Sequence, residues 1–259
     1  ARTLGASLRE FHSQPDYLQI WPGHGAGSAC GKELGAVPQT TVGYERRFNL
    51  AFKQAENPDA FVDTILSGQP EPPAYFKRMK YENRQGPGIL GGLPSPACCS
   101  VEGIPEGAVI VDTRPWDAYR AGHLPGSYSL ILDNMFSTVA GAFILPEQDI
   151  VLVANACDVE NAVRMLIRIG LDRVVNWVDP DDLMNNTVLL KIREVDVSDV
   201  HSMKDAVILD VRNASEFSQG HVPDATNVAY LQLPDRLDEV PKGGPILVNC
   251  RSGFRSARA

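Results

Sequence analysis

VILDVRNASEFSQGHVP, residues 207–223, decides the fold, because it repeats VIVDTRPWDAYRAGHLP, residues 109–125, at a constant offset of 98 positions. Each copy runs from an apolar stretch into Asp-x-Arg, through a polar stretch of helical spacing, to Gly-His-x-Pro. Each copy later has a second apolar run, Asp149–Val153 and Pro245–Val248, opening into a loop and a helix start. Strand, helix, strand, loop and helix in that order specify a parallel α/β sheet, with ligands expected beyond the carboxyl ends of the strands. Two similar α/β domains are therefore predicted, over residues 100–189 and 190–259. The second is expected to be incomplete at its C-terminal end, because the first continues through Asn161–Gly170 and Val174–Val178, a helix and a strand that have no counterpart after Ser256.

Working outward, residues 86–96, GPGILGGLPSP, hold too many backbone breakers for a regular element and place a linker at 86–99. Upstream, Leu4, Leu8 and Phe11 recur at helical spacing, and Tyr17 to Trp21 read as a short strand. A second helix should start at the N-cap Asn57, with Pro58 in its first turn, and carry Phe61, Ile65 and Leu66. This is a poor domain alone, so residues 1–85 read as the tail of a larger one. The 24 basic residues are outnumbered by 32 acidic ones, net charge −8, without a basic run that would neutralise phosphates. A nucleic-acid or anionic-membrane partner is disfavoured. With no apolar run long enough to span a bilayer and five cysteines at no disulfide-framework spacing, a cytoplasmic location is expected.

The chemistry concentrates at Cys250-Arg-Ser-Gly-Phe-Arg-Ser256, directly after the apolar run of the second copy. A cysteine there meets the backbone N–H groups of a tight turn, the positive end of a following helix, and the guanidinium groups of Arg251 and Arg255, all of which favour thiolate. Gly253 allows the turn to close around the sulfur. A buried, inert cysteine would need none of these neighbours.

This Cys-x-x-Gly-x-Arg-Ser loop, preceded by Asp-x-Arg and Gly-His-x-Pro, resembles the rhodanese family of sulfurtransferases, in two copies from about residue 100 to the end. The resemblance implies that Cys250 takes a sulfane sulfur from a small donor, thiosulfate or a low-molecular-weight persulfide, and passes it to a thiol or cyanide acceptor. Arg251, Ser252, Gly253, Phe254, Arg255 and Ser256 would hold the persulfide. Phosphatase-like and arsenate-reductase relatives need arginine six positions after cysteine, but here that position is Ser256, so the cradle suits a single sulfur rather than a phosphate. In the first copy, matching Val153 to Val248 puts Asn155 where the cysteine should stand, and Cys157 lies beside Asp158 and Glu160, which disfavour a thiolate. That copy reads as structural. Asp112, Arg114 and His123, and their counterparts Asp210, Arg212 and His221, occur with and without the cysteine, which argues for an architectural role. Cys98 and Cys99 read as exposed neighbours and Cys30 as a packing residue.

Residues 17–32, YLQIWPGHGAGSACGK, resemble the last metal-site segment of metallo-β-lactamase-fold proteins of the persulfide dioxygenase and glyoxalase II branch. His24 then matches the final ligand histidine, but one histidine is not a site. No cofactor is expected in this chain, and iron or zinc in a longer parent. The leading expectation is a sulfurtransferase fused to a persulfide dioxygenase-like portion, with homo-oligomerisation left open. The alternatives are a non-catalytic assembly fragment, or a metal-dependent thioester hydrolase in the parent.

Overall fold

The computed structural model describes residues 1–23, 37–67, 73, 75–184, 189–203 and 205–259. They fall into two compact units, Ala1–Glu71 and Pro72–Ala259. The first contains α1 (Arg2–His12), β1 (Gln19–Ile20), β2 (Thr40–Thr41), α2 (Val42–Phe48), α3 (Leu50–Gln54) and α4 (Pro58–Leu66). Its helix starts are set by side-chain caps: Thr41, Asn49 and Asn57 accept from the amides of Tyr44, Ala51 and Ala60, and Pro58 occupies the first turn of α4. β1 and β2 pair antiparallel, and Val42, Phe52, Ala55 and Phe61 form the buried centre. The apolar stripe of α1 is only partly covered, with Leu8 half-buried. Leu4 and Phe11 are exposed, and the buried residue of α1 is Gly5, where a Cβ would stand 3.1 Å from the Phe61 ring. The missing side chain, rather than the stripe, lets Phe61 approach the helix.

The second unit contains α5 (Phe76–Gln85), β3 (Ala97–Cys98), β4 (Val109–Asp112), α6 (Trp116–Ala121), β5 (Tyr128–Ser129), α7 (Phe136–Phe143), β6 (Ile150–Val153), α8 (Ala156–Ile167), β7 (Val174–Val178) and α9 (Pro180–Met184). These are followed by β8 (Val207–Asp210), α10 (Ala214–Ser218), β9 (Thr226–Asn227) and β10 (Ile246–Asn249). One sheet has the order β3-β7-β6-β4-β5 and the other β10-β8-β9, and every pairing in both is parallel. This is a mixed α/β protein built on parallel sheets. Buried on both faces, β6 reads as a continuous apolar run, Ile150-Val-Leu-Val153.

A single apolar cluster joins Val111, Ile150, Leu152, Phe136, Val139 and Leu166 of the first copy to Leu209, Val211, Val228, Tyr230 and Leu233 of the second. The copies thus share a core. Residues 86–96 form no helix or strand, but the division between compact units falls near residue 72 rather than at 86–99. The reason is packing by the segment before the linker: Arg78 donates to the carbonyl of Ile169 at 2.7 Å, Met79 lies against the shared core, and the Tyr75 ring occupies the space where a Cβ on Gly141 would stand.

Candidate active site

β8 ends in Asp210, which is fully buried and grips Arg212 by three side-chain contacts of 2.6 to 3.0 Å. Arg212 also donates to the carbonyl of Gly220 at 2.9 Å, tying the strand end to the Gly-His-x-Pro turn. Burial alone would raise the Asp210 carboxyl, but hydrogen bonds from the Arg212 side chain and amide and from Asn249 hold it below the ordinary carboxylate range. The first copy repeats the clamp with Asp112, Arg114 and the Gly122 carbonyl, at 2.6 to 3.1 Å. His221 stacks on Phe217 at 3.7 Å and its Nδ1 meets the Phe217 carbonyl at 2.9 Å. His123 does the same with Tyr119, at 4.0 and 3.0 Å. The two histidines hold equivalent turns, one beside a cysteine loop and one without.

Cys250 follows β10 directly, half-buried at the carboxyl end of a parallel strand. Its Sγ lies 3.6 Å from Ser256 Oγ. Burial would push the thiol up, but the Ser256 hydroxyl and the amides of Ser256, Ser252 and Arg255 outweigh it and bring the pKa from 9.0 to about 7. Gly253 sits at φ 83°, a conformation that other residues rarely adopt, and this wraps the loop back over the sulfur. No α-helix follows among the described residues, where 251–258 are turns. Within these residues the thiolate is held by local amides, the Ser256 hydroxyl and the Arg255 side chain. Of the two arginines expected near the sulfur, Arg255 interacts with Cys250, whereas Arg251 lies exposed on the rim. Phe254 is exposed and gives its ring to Arg258.

The structure adds a residue that the sequence reading missed. Glu216 on α10 receives Arg255 in a bidentate pair, at 2.5 and 2.9 Å, which lowers its carboxyl to about 2. Glu216 also closes a capping box with Asn213, so α10 presents it in a fixed orientation. A signal for it lay in the repeat: the offset of 98 sets Ala118 opposite Glu216, in the copy whose loop also lacks an arginine.

Sheet register corrects the equivalence of the two loops. Val109 pairs with Ile150 and Asp112 with Val153, while Val207 pairs with Ile246 and Asp210 with Asn249. Asn249 therefore corresponds to Val153, and Cys250 to the buried Ala154 rather than to Asn155. An unbroken apolar run offers no landmark for a one-residue slip, whereas ladder hydrogen bonds do. Cys157 lies in the first turn of α8, exposed. Cys98 is exposed and Cys99 half-buried, its thiol raised by burial, Cys98 and Asp182. His24 and Cys30 lie outside the described residues. Among the described residues no group of three or more His, Cys, Asp or Glu could hold a metal ion.

A family model described as "Rhodanese-like domain" matches residues 102–178 and 196–259, more than half of the chain. The chain belongs to the rhodanese-like domain family. It is similar to a "Sulfurtransferase" of Allochromatium vinosum, 38% identical over 56 residues, covering 22% of this chain and 52% of the relative. It is also similar to "Thiosulfate sulfurtransferase 16, chloroplastic" of Arabidopsis thaliana, 41% identical over 63 residues, 20% of this chain and 52% of the relative. The chain spans about half the length of these curated relatives. Among solved structures it resembles one described as a metallo-beta-lactamase from Staphylococcus aureus, with 35% identity and a TM-score of 0.57 over 69% of this chain and 50% of that one.

Proposed function

We propose that the rhodanese-like chain is a sulfurtransferase that carries sulfane sulfur on Cys250. The observation behind this is the Cys250 thiol brought to about 7 inside an amide cradle at a strand's carboxyl end. In the first half-reaction the Cys250 thiolate attacks the outer sulfur of thiosulfate. The S–S bond breaks, sulfite leaves with the electron pair, and a cysteine persulfide remains. In the second, a cyanide or thiolate acceptor attacks the outer sulfur of that persulfide, and the Cys250 thiolate departs with the pair. The departing thiolate meets the same donors that stabilised the attacking one, namely the Ser256 hydroxyl and the amides of Ser252, Arg255 and Ser256. Arg255, fixed by Glu216, sets positive charge beside both the incoming anionic donor and the developing thiolate.

The first copy, with Ala154 where the cysteine would be, serves as a structural partner that shares the core. The resemblance of residues 17–32 to a metal-site segment, with the likeness to a solved metallo-beta-lactamase, supports a persulfide-oxidising or hydrolytic domain in a longer protein, with iron or zinc and His24 among its ligands. Cys98, Cys99, Cys157 and Cys250 are free thiols, as a reducing compartment such as the cytoplasm requires, and no helix among the described residues is long and apolar enough to cross a membrane. Thiosulfate:cyanide sulfur transfer tests the central proposal. Turnover that vanishes in Cys250→Ser supports it. Turnover retained in that variant, or absent from the wild type with every small sulfane donor, overturns it in favour of an assembly role.

A further inference from the structure

The C-terminal side of the loop that cradles Cys250 is anchored by two carboxylates, Glu216 through Arg255 and, from the copy that has no cysteine, Asp133 through Arg258. Arg258, only 5% exposed, spans the junction between the copies. Its Nη1 donates to the Phe254 carbonyl at 3.0 Å and its guanidinium lies 3.7 Å over the Phe254 ring, within the cradle. Its Nη2 meets Asp133 Oδ2 at 2.5 Å, across 125 positions of sequence. Asp133 follows β5 in the first copy, where its other oxygen accepts from the Met135 amide at the entry to α7. Phe254 lies between Ser252 and the amides of Arg255 and Ser256, the groups that stabilise the thiolate. Holding its carbonyl fixes the peptide that carries the Arg255 amide.

Resting on the sulfurtransferase reading, we propose that Asp133 of the non-catalytic copy is a positioning residue for the sulfur-transfer site, acting through Arg258 on the Phe254 segment of the Cys250 loop. This assigns the first copy a part in the chemistry that its own loop cannot perform. A buried guanidinium deprived of its carboxylate seeks water or another partner, and Phe254 is tied to it by both its carbonyl and its ring. The other charged or titratable groups at this junction are Arg255, paired to Glu216, and Tyr230, whose hydroxyl feels Arg258, Arg255 and Asp133.

Asp133→Asn separates the two jobs of the residue, because the amide oxygen can still accept from Met135 while the charge toward Arg258 is lost. The readout is the pH dependence of Cys250 alkylation by iodoacetamide in the intact chain, which needs no sulfur transfer. If the carbonyl of Phe254 is released, the thiolate loses roughly one hydrogen bond to a charged group, and its midpoint rises by about one pH unit. Sulfur transfer at neutral pH then falls about fivefold with the thiolate fraction and recovers at alkaline pH. Asp133→Glu should restore the wild-type midpoint. Arg258→Met removes the buried charge, leaves only the part-exposed Asp133 carboxylate without its partner, and should show the same rise, which covers the case in which Asp133→Asn does not fold. A wild-type midpoint in folded Asp133→Asn or in Arg258→Met overturns the proposal. A raised midpoint in a protein that transfers no sulfur even as wild type upholds the positioning role and overturns the sulfurtransferase reading instead.

Discussion

Replacing Ser256 by alanine isolates the hydroxyl that meets the Cys250 sulfur. Ser256 Oγ has a single proton and two acceptors, the sulfur at 3.6 Å and the Gly253 carbonyl at 3.1 Å. When Cys250 is a neutral thiol the hydroxyl can serve Gly253. When Cys250 ionises, the proton turns to the sulfur, and the Gly253 bond is given up. A hydrogen bond to a charged acceptor contributes about 1.5–3 kcal/mol and the neutral one it displaces about 1 kcal/mol, leaving roughly 0.5–2 kcal/mol in favour of the thiolate. At 1.36 kcal/mol per unit, the pKa in Ser256→Ala should rise by about one unit, from about 7 toward about 8. It should stop short of the ordinary cysteine value, because the amides of Ser252, Arg255 and Ser256 remain. Iodoacetamide rates for the Cys250 peptide, followed across pH by mass spectrometry, give the midpoint directly. An unchanged midpoint would show that the amides and Arg255 hold the thiolate without the hydroxyl. A loss of reactivity at alkaline as well as neutral pH would show that the serine maintains the loop rather than the charge.

Further outcomes follow from the clamp, the register and the second carboxylate. Ala154→Cys in a Cys250→Ser background places a thiol at the true equivalent of Cys250 but without glycine or arginine behind it, and should accept no sulfur from thiosulfate; loading of that cysteine would refute the importance of the cradle. Asp210→Ala strands Arg212 and the Gly220 carbonyl and should destabilise the second unit by about 3–5 kcal/mol in urea unfolding, the usual cost of breaking a buried ion pair; a change within error would remove the clamp from the account. Glu216 has a depressed pKa, so its stabilisation is present above the ordinary glutamate value and is lost as pH falls through about 2. Glu216→Gln should therefore flatten the acid limb of the stability curve while leaving its neutral-to-alkaline shape intact, and an acid limb as steep as the wild type's would contradict this.

What the sequence revealed was local, and what it hid depends on pairing across distance. The Asp-x-Arg and Gly-His-x-Pro motifs announced the repeat because each forms a clamp within about ten residues, so spacing alone carries it. The Cys250 loop was legible for the same reason: Gly253, Arg255 and Ser256 all act within six positions of the sulfur. The equivalence of Ala154 to Cys250 was hidden because Ile150-Val-Leu-Val153 offers no polar landmark, and only the ladder with β4 sets the register. Glu216 lay 39 positions from Arg255, and its role was visible only as a joint absence from the first copy. Arg258 and Asp133 meet across the shared core, which no local pattern encodes. The burial of Gly5 rather than Leu4 and Phe11 has a similar cause, since a glycine contributes to packing through what it leaves open to Phe61.

The most direct test of the central claim is to expose the intact chain to thiosulfate without an acceptor, remove excess donor, and map the added mass by peptide mass spectrometry. One added sulfur should be found on the Cys250 peptide, released by cyanide as thiocyanate in equal amount and absent from Cys250→Ser. Sulfur found instead on Cys98, Cys99 or Cys157, or no added sulfur with any small sulfane donor, would contradict it.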